Sequence, residues 1–260
     1  MADVQEEQDP ARRPAFRKAQ RLAGQAIAQY HMVEEGDRVL VGLSGGRDSL
    51  VMAHILDTLR RKAPVRFELV FFSFDPGFPG FDLRPLRDYC RSRGWRHEVD
   101  GVPIPEVLKE KEGERSPCVL CSRLRRGKIH AAADAYDCGK IALGHHLDDL
   151  CVSLLMRLFR GQGLSSMAPN VPADHGARRL IRPLCLVTKA QLNEAAAAFD
   201  FPPEGRCAYE SQLKEHGDRA FLERALGDLE KHFPHIRQAM RQAMGDVRPD
   251  HLMDIRFLKL

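Results

Sequence analysis

Hydrophobic residues along this chain alternate between short continuous runs and helical spacing. Phe16, Leu22, Ala23, Ala26, Ile27 and Tyr30 recur at intervals that predict a helix. The next apolar block, Arg38-Val39-Leu40-Val41-Gly42-Leu43, is short and continuous, as in a buried strand. It runs into Ser44-Gly45-Gly46, and the residues from Ser49 onward (SLVMAHILDTL) read as a helix. The alternation then repeats. Strands are predicted over 67–74, 95–99, 140–143 and 180–184, and helices over 83–93, 124–136, 148–159 and 189–199. Past Phe201 only helical spacing remains, over 219–231 and 235–244. This order predicts an α/β fold: a mostly parallel sheet with helices on both faces, followed by a short helical C-terminal region. The expected divisions are a disordered tail over 1–14, a catalytic α/β domain over 15–200 and a helical extension over 201–260. Ligands of such sheets bind beyond the carboxyl ends of the strands, near the switch in strand order. The loops Ser44–Ser49, Asp75–Gly80 and Gly144–Asp149 all fall at strand ends, so they are expected to converge on one crevice.

Composition narrows the class only modestly. The 260 residues, 43% hydrophobic and 29% charged, describe an ordinary globular chain. No apolar run approaches the roughly 18 residues that span a bilayer. The N-terminal MADVQEEQDPARRP lacks the apolar core of a secretory signal, so a cytoplasmic location is expected. A net charge of +4 favours nucleic acid weakly, but its distribution says more. From Arg115 to His130 there are five Arg/Lys and no acid, and from His175 to Lys189 there are four and no acid. Seven cysteines without a secretory signal argue against a disulfide framework and direct attention to any close pair. Cys90, Cys138, Cys151 and Cys185 lie in apolar patterns, where a small buried thiol is expected.

Ser44-Gly45-Gly46-Arg47-Asp48-Ser49 follows a strand and opens a helix. Two glycines let the backbone turn sharply and approach a ligand, and free amides at a helix start attract an anion. Ser44 and Ser49 add hydroxyls, and Arg47 adds a charge suited to phosphate. Asp48 would be unfavourable beside an anion unless a cation is present, which points to Mg²⁺. The loop matches neither GxxxxGK[ST] nor GxGxxG. It resembles the SGGxDS loop of the PP-loop ATP pyrophosphatases, which cleave ATP between the α and β phosphates and adenylate a substrate. Many close members of that group carry Lys where this chain has Arg47, so charge is kept while a compact ammonium becomes a planar fork.

Pro117-Cys118-Val119-Leu120-Cys121 spaces two thiols as zinc, an iron–sulfur cluster or a redox disulfide would require. A second close pair, expected for tetrahedral zinc, is absent from the sequence, and a lone Cys207 follows in the polar segment Glu204–Glu210. Three thiolates can hold three irons of a cubane cluster and leave the fourth open to an exogenous ligand such as sulfide. At this point the resemblance sharpens. From about Phe16 to the C-terminus the chain resembles the tRNA 2-thiocytidine synthetases, the sulfur-inserting branch of the PP-loop enzymes. The matching stretches are Gly36-Asp37-Arg38, SGGRDS, Asp75 with Pro76-Gly77-Phe78-Pro79, and Cys118 through Gly127. Leu143-Gly144-His145-His146-Leu147-Asp148-Asp149, Arg182-Pro183-Leu184 and Cys207 complete them. The resemblance implies a 4Fe-4S cluster on Cys118, Cys121 and Cys207, and a 2-thiocytidine product in the tRNA anticodon loop. Members often have a second cysteine where Glu210 stands here, and Glu-Thr where Val152-Ser153 stands. A persulfide on Cys118 or Cys121 is the alternative use of those thiols.

Within this reading Gly45, Gly46, Arg47 and Ser49 hold pyrophosphate, Ser44, Gly144 and Asp148 complete the nucleotide site, and Gly42 and Asp75 contact adenosine. Asp48, His145, His146 and Asp149 are the expected catalytic residues, with Asp48 also on magnesium. A base must be unstacked to enter, which suits a tRNA loop. Arg123, Arg125, Arg126 and Lys128 are the expected phosphate contacts to tRNA. Expected partners are tRNA and a sulfur donor, either a cysteine desulfurase or free sulfide, with no membrane; a homodimer is compatible. Competing readings are thiolation of another base such as uridine, adenylation followed by amine attack as in lysidine synthesis, and a metal-stabilised ATP- or RNA-binding module without turnover.

Overall fold

A computed structural model describes residue 10 and residues 13–110, 117–173, 178–205, 207, 209 and 217–258. In chain order its elements are α1 (Pro14–Gln29), β1 (Arg38–Gly42), α2 (Arg47–Arg60), β2 (Glu68–Asp75), α3 (Arg84–Ser92) and β3 (His97–Gly101). There follow α4 (Ile104–Glu110), α5 (Pro117–Ala135), β4 (Lys140–Ala142), α6 (Leu147–Phe159), β5 (Asn170–Pro172) and β6 (Arg179–Ile181). The chain continues with α7 (Lys189–Ala196), α8 (Asp218–His232) and α9 (Ile236–Gly245), then a single 3₁₀ turn at Pro249–His251.

The described strands form one six-stranded sheet in the order β3-β2-β1-β4-β6-β5. All neighbours are parallel except β5 and β6. The most apolar strands lie centrally. Alternation along β1 sends Val39 and Val41 to one face and Leu40 to the other, as a period of two requires. Val39 and Val41 join a core with Phe16 and Ala23 of α1, Leu50 and Met52 of α2 and Leu192 of α7. Leu40 joins Phe72, Ile141 and the α5 residues Ala132 and Ala133 on the opposite face. A third cluster, Leu147, Cys151 and Val152 with Leu222 and Leu226, fastens α8 to α6. Lys140 opens a buried strand because its ammonium reaches Glu34 at 2.8 Å and Asp37 at 2.7 Å.

The expected fold class is the observed one, with local differences. The strand expected over 95–99 lies at 97–101, on the edge of the sheet, because Trp95 turns inward to stack on Phe71 at 4.5 Å. The helix expected from Leu124 begins at Pro117, where a fixed proline φ suits a first turn, so Cys118 and Cys121 are helical. The strand expected over 180–184 ends at Ile181 and pairs with an unforeseen neighbour, β5. Helix α4 also had no periodic signal. Of the tail expected over 1–14, Pro14 already belongs to α1, while residues 1–9, 11 and 12 lie outside the described residues. Among the described residues no helix is long and apolar enough to cross a membrane.

Leu40 is fully buried at the centre of the sheet. Leu40→Ala is therefore expected to cost about 2–5 kcal/mol, read as a lower midpoint in urea unfolding. A cost below about 1 kcal/mol would contradict this packing.

Candidate active site

Chain order moves outward from β1 through β2 to β3, then jumps back to β4 on the other side of β1. The switch in strand order therefore lies between β1 and β4, and their two following loops flank it. One is Ser44–Ser49. Gly45 adopts φ +87°, the left-handed conformation that glycine takes without a Cβ penalty. Ser49 Oγ donates to the Gly46 carbonyl at 2.8 Å, and Ser44 Oγ accepts from the Gly46 amide at 3.2 Å. The two hydroxyls expected as ligand donors thus also brace the turn. Arg47 opens α2, exposed and without an ion pair among the described residues.

The other loop approaches it closely. A Cβ on Gly144 would stand 3.4 Å from both the backbone N and the Cα of Ser49, so a side chain there would press on the start of α2. The His146 amide donates to Asp149 Oδ2 at 2.9 Å, capping α6. The buried His146 ring lies among three carboxylates: Nε2 is 3.7 Å from Asp48 and 3.5 Å from Asp149, and Nδ1 is 3.6 Å from Asp148. Each exceeds hydrogen-bond length. Among the described residues the buried Nδ1 atoms of His145 and His146 have no hydrogen-bond partner. Burial pushes His145 down to about 4, with Asp149 opposing the shift, so its ring is neutral at pH 7. Burial would raise Asp148, yet the nearby His146 ring, the Lys189 amide and Arg237 together hold it below the usual carboxylate range.

Each of these carboxylates has a cation from the C-terminal third of the chain. Lys189 Nζ meets both oxygens of Asp48, at 2.8 and 2.7 Å. Arg237 Nε donates to Asp148 at 2.5 Å, and Arg219 pairs with Asp149. None of the three cations belonged to a recognised motif. Their signal was weak: a lysine after the threonine cap at Thr188, and arginines in an otherwise ordinary helical tail.

The Asp75 loop is less directly joined. Asp75 Oδ1 accepts from the Gly77 amide at 2.9 Å, and Asp75 O accepts from Val102 at 3.0 Å, so the residue shapes its own turn and the end of β3. Its link to the phosphate loop runs through the segment around Glu204. Glu204 Oε1 lies 2.8 Å from where a Cβ on Gly46 would stand, and the Phe81 ring lies 2.9 Å from that position on Gly205. The Tyr209 ring packs edge-on against Phe78 with centroids 5.6 Å apart. Cys207 is three residues beyond Glu204, at most about 11 Å of extended chain. Cys207, which lies in a polar stretch of sequence, is half-buried against the apolar cluster that contains Phe78 and Cys121. The neighbouring Arg206, Ala208 and Glu210 lie outside the described residues.

The thiols separate into two kinds. Burial pushes Cys90, Cys151 and Cys185 up to about 12 and Cys138 up to about 11, so they are inert packing groups. Cys118 is half-buried on the first turn of α5. Its thiol is raised by burial and then by the nearby Cys207 and Cys121, which places all three in one electrostatic neighbourhood. Arg125 Nη2 lies 3.8 Å from Cys121 Sγ. Among the described residues no set of three or more His, Cys, Asp or Glu side chains is close enough to hold a metal ion. Cluster ligands stand farther apart, because each thiolate binds a different iron. Arg123, Arg125 and Arg126 are exposed along the same helix, and Lys128 reaches Asp100 at 2.8 Å.

Comparison with known proteins fits this arrangement. The PP-loop domain family matches residues 17–201. The tRNA-cytidine(32) 2-sulfurtransferase of Syntrophotalea carbinolica is 38% identical over 240 residues, 92% of either chain. Its namesake from Geobacter metallireducens is 37% identical over 92% of this chain and 93% of its own. Among solved structures, the U34-tRNA thiolase NcsA of Methanococcus maripaludis, with its [4Fe-4S] cluster, superposes with a TM-score of 0.73. At 19% identity, covering 90% of this chain and 80% of that one, the likeness concerns the fold. A glycine turn at the β1–β4 switch and 38% identity along nearly the whole length lead to one assignment: the chain belongs to the PP-loop family, in the branch of the tRNA-cytidine(32) 2-sulfurtransferases.

Proposed function

We propose that this protein is an ATP-dependent tRNA sulfurtransferase, which adenylates a cytidine of the anticodon loop at its 2-oxygen and replaces that oxygen with sulfur. The observation that carries the reading is the short tether between two chemistries. Glu204 lies against the phosphate turn at Gly46, and Cys207, three residues on, belongs to the neighbourhood of Cys118 and Cys121. Similarity over 92% of the chain to relatives named for this reaction supports the substrate.

The turn at Gly45 and Gly46, the start of α2 and Arg47 bind the nucleotide phosphates, and Ser44 and Ser49 keep the turn in shape. Asp48 offers the hard oxygen ligand that Mg²⁺ prefers. Gly42 and Asp75 border the adenosine, with Gly144 allowing the second loop to close beside the first. The cytidine 2-oxygen attacks the α-phosphorus and pyrophosphate leaves. Sulfur at the sulfide level, supplied as free sulfide or as a desulfurase persulfide reduced by two thiols that become a disulfide, then adds at C2, the C2–O bond breaks, and AMP departs with that oxygen. Neutral His145, with His146 beside it, hydrogen-bonds the reacting groups in this reading, while Asp148 and Asp149 fix that loop through Arg237 and Arg219. The donor set at Cys118, Cys121 and Cys207 fits a 4Fe-4S cluster, which when bound would supply an open iron for sulfide. Arg123, Arg125, Arg126 and Lys128 bind the tRNA backbone beside these thiols.

Cys118→Ala and Cys207→Ala, reconstituted without oxygen, are each expected to lower thiolated cytidine in tRNA at least 100-fold by nucleoside mass spectrometry and to lose bound iron. Cys185→Ala should keep both. Iron content that Cys207→Ala leaves unchanged would remove that ligand from the site.

A phosphate seated at Gly46 must push the Glu204 carboxylate aside. Glu204→Ala is therefore expected to tighten ATP binding two- to tenfold by calorimetry, and weaker binding would contradict this placement.

His145 titrates near 4 in the fold and near 6.5 when unfolded, so between these values the unfolded chain binds the extra proton. Stability should fall as pH drops from 6.5 to 4, by on the order of 2–3 kcal/mol for this ring. His97, also pushed down to about 4 by burial, shares the window. Denaturant titrations of His145→Asn should show a shallower fall than the parent; identical slopes would contradict burial of the neutral ring.

A further inference from the structure

We propose that Lys189 is a built-in counter-ion of Asp48, sharing that carboxylate with Mg²⁺ and letting the phosphate loop accept nucleotide when divalent metal is scarce. This inference rests on the nucleotide-site reading given above.

Asp48 places a negative charge on the first turn of the helix whose start must receive phosphates. Two like charges there repel unless a cation lies between them. Lys189 provides one, with Nζ 2.8 Å from Oδ1 and 2.7 Å from Oδ2. Its backbone is fixed independently of that ion pair. The Lys189 amide donates to Asp148 Oδ2 at 2.7 Å, and Thr188 and Gln191 cap the helix that begins at Lys189. The root of the side chain is thus anchored on the second loop while its tip reaches across the crevice to the first.

The three carboxylates of the crevice are not equivalent in this respect. Arg237, 15% exposed, is bound to Asp148 and also to Glu230, which makes it a fixed brace. Arg219 divides itself between Asp149 and Glu223. Lys189, 45% exposed, has Asp48 as its one anionic partner among the described residues. A compact ammonium on a flexible stem can yield its place to a divalent ion without disturbing a network. With Mg²⁺ held by Asp48, the Lys189 ammonium would be free to add its charge to that of Arg47 at the phosphates.

Lys189→Met keeps the stem and the backbone amide but removes the charge. The test is calorimetric binding of a non-hydrolysable ATP analogue to the full chain, in EDTA and in saturating Mg²⁺. The parent protein should bind in both conditions. Lys189→Met should weaken binding at least tenfold in EDTA and no more than threefold in Mg²⁺, with half-maximal Mg²⁺ moved to lower concentration. Lys189→Arg should return EDTA binding to within threefold of the parent. Equal losses in both conditions, or none in either, would overturn the counter-ion role while leaving the nucleotide site intact. If the parent binds no analogue in either condition, the nucleotide-site reading itself fails.

Discussion

Parallel pairing of β1 with β4 is the constraint on which the crevice depends. Val39, Leu40 and Val41 lie in register with Lys140, Ile141 and Ala142, so both strands end at the same edge and release their loops side by side. Backbone hydrogen bonds fix that register, and burial on both faces prevents a slip, since a shift of one residue would turn Leu40 and Ile141 out of their core. Ser44–Ser49 and Gly144–Asp149 are then neighbours whatever their side chains. The missing Cβ at Gly144 lets them meet.

Charge balance comes from elsewhere in the chain. Asp48, Asp148 and Asp149 would repel one another and any incoming phosphate if left alone. Lys189, Arg237 and Arg219 supply compensating charge from α7, α9 and α8. The helical C-terminal region therefore borders the crevice, fastened to α6 by Leu222 and Leu226 and joined to its carboxylates by ion pairs. Buried imidazoles complete the balance. His145 stays neutral because charging it would cost desolvation in a place already supplied with cations.

The cysteines divide by the same physics. Four thiols surrounded by apolar side chains are held protonated well above the neutral range, which makes them poor nucleophiles and poor ligands. Cys118, Cys121 and Cys207 gather where α5 starts and the chain returns from the phosphate turn, with the Arg125 guanidinium close to one sulfur. The half-exposed positions of Cys118 and Cys207 leave room for a ligand.

Local pattern alone carried the fold class, the glycine turn, the paired thiols and the GHHLDD loop, because strand runs, helical spacing and motif chemistry are set by neighbours a few positions apart. Inward-turning Trp95, the helical start at Pro117 and the added strand β5 escaped it, since tertiary packing and pairing chose those boundaries. The charge partners of the crevice escaped it more completely. Lys189 is 141 positions from Asp48, Arg237 is 89 from Asp148, and Arg219 is 70 from Asp149. No periodicity links residues so far apart. Residue types and their local spacing set which groups could do the chemistry, whereas the pairing of charges was settled by folding, because it depends on distances the sheet and its helices create.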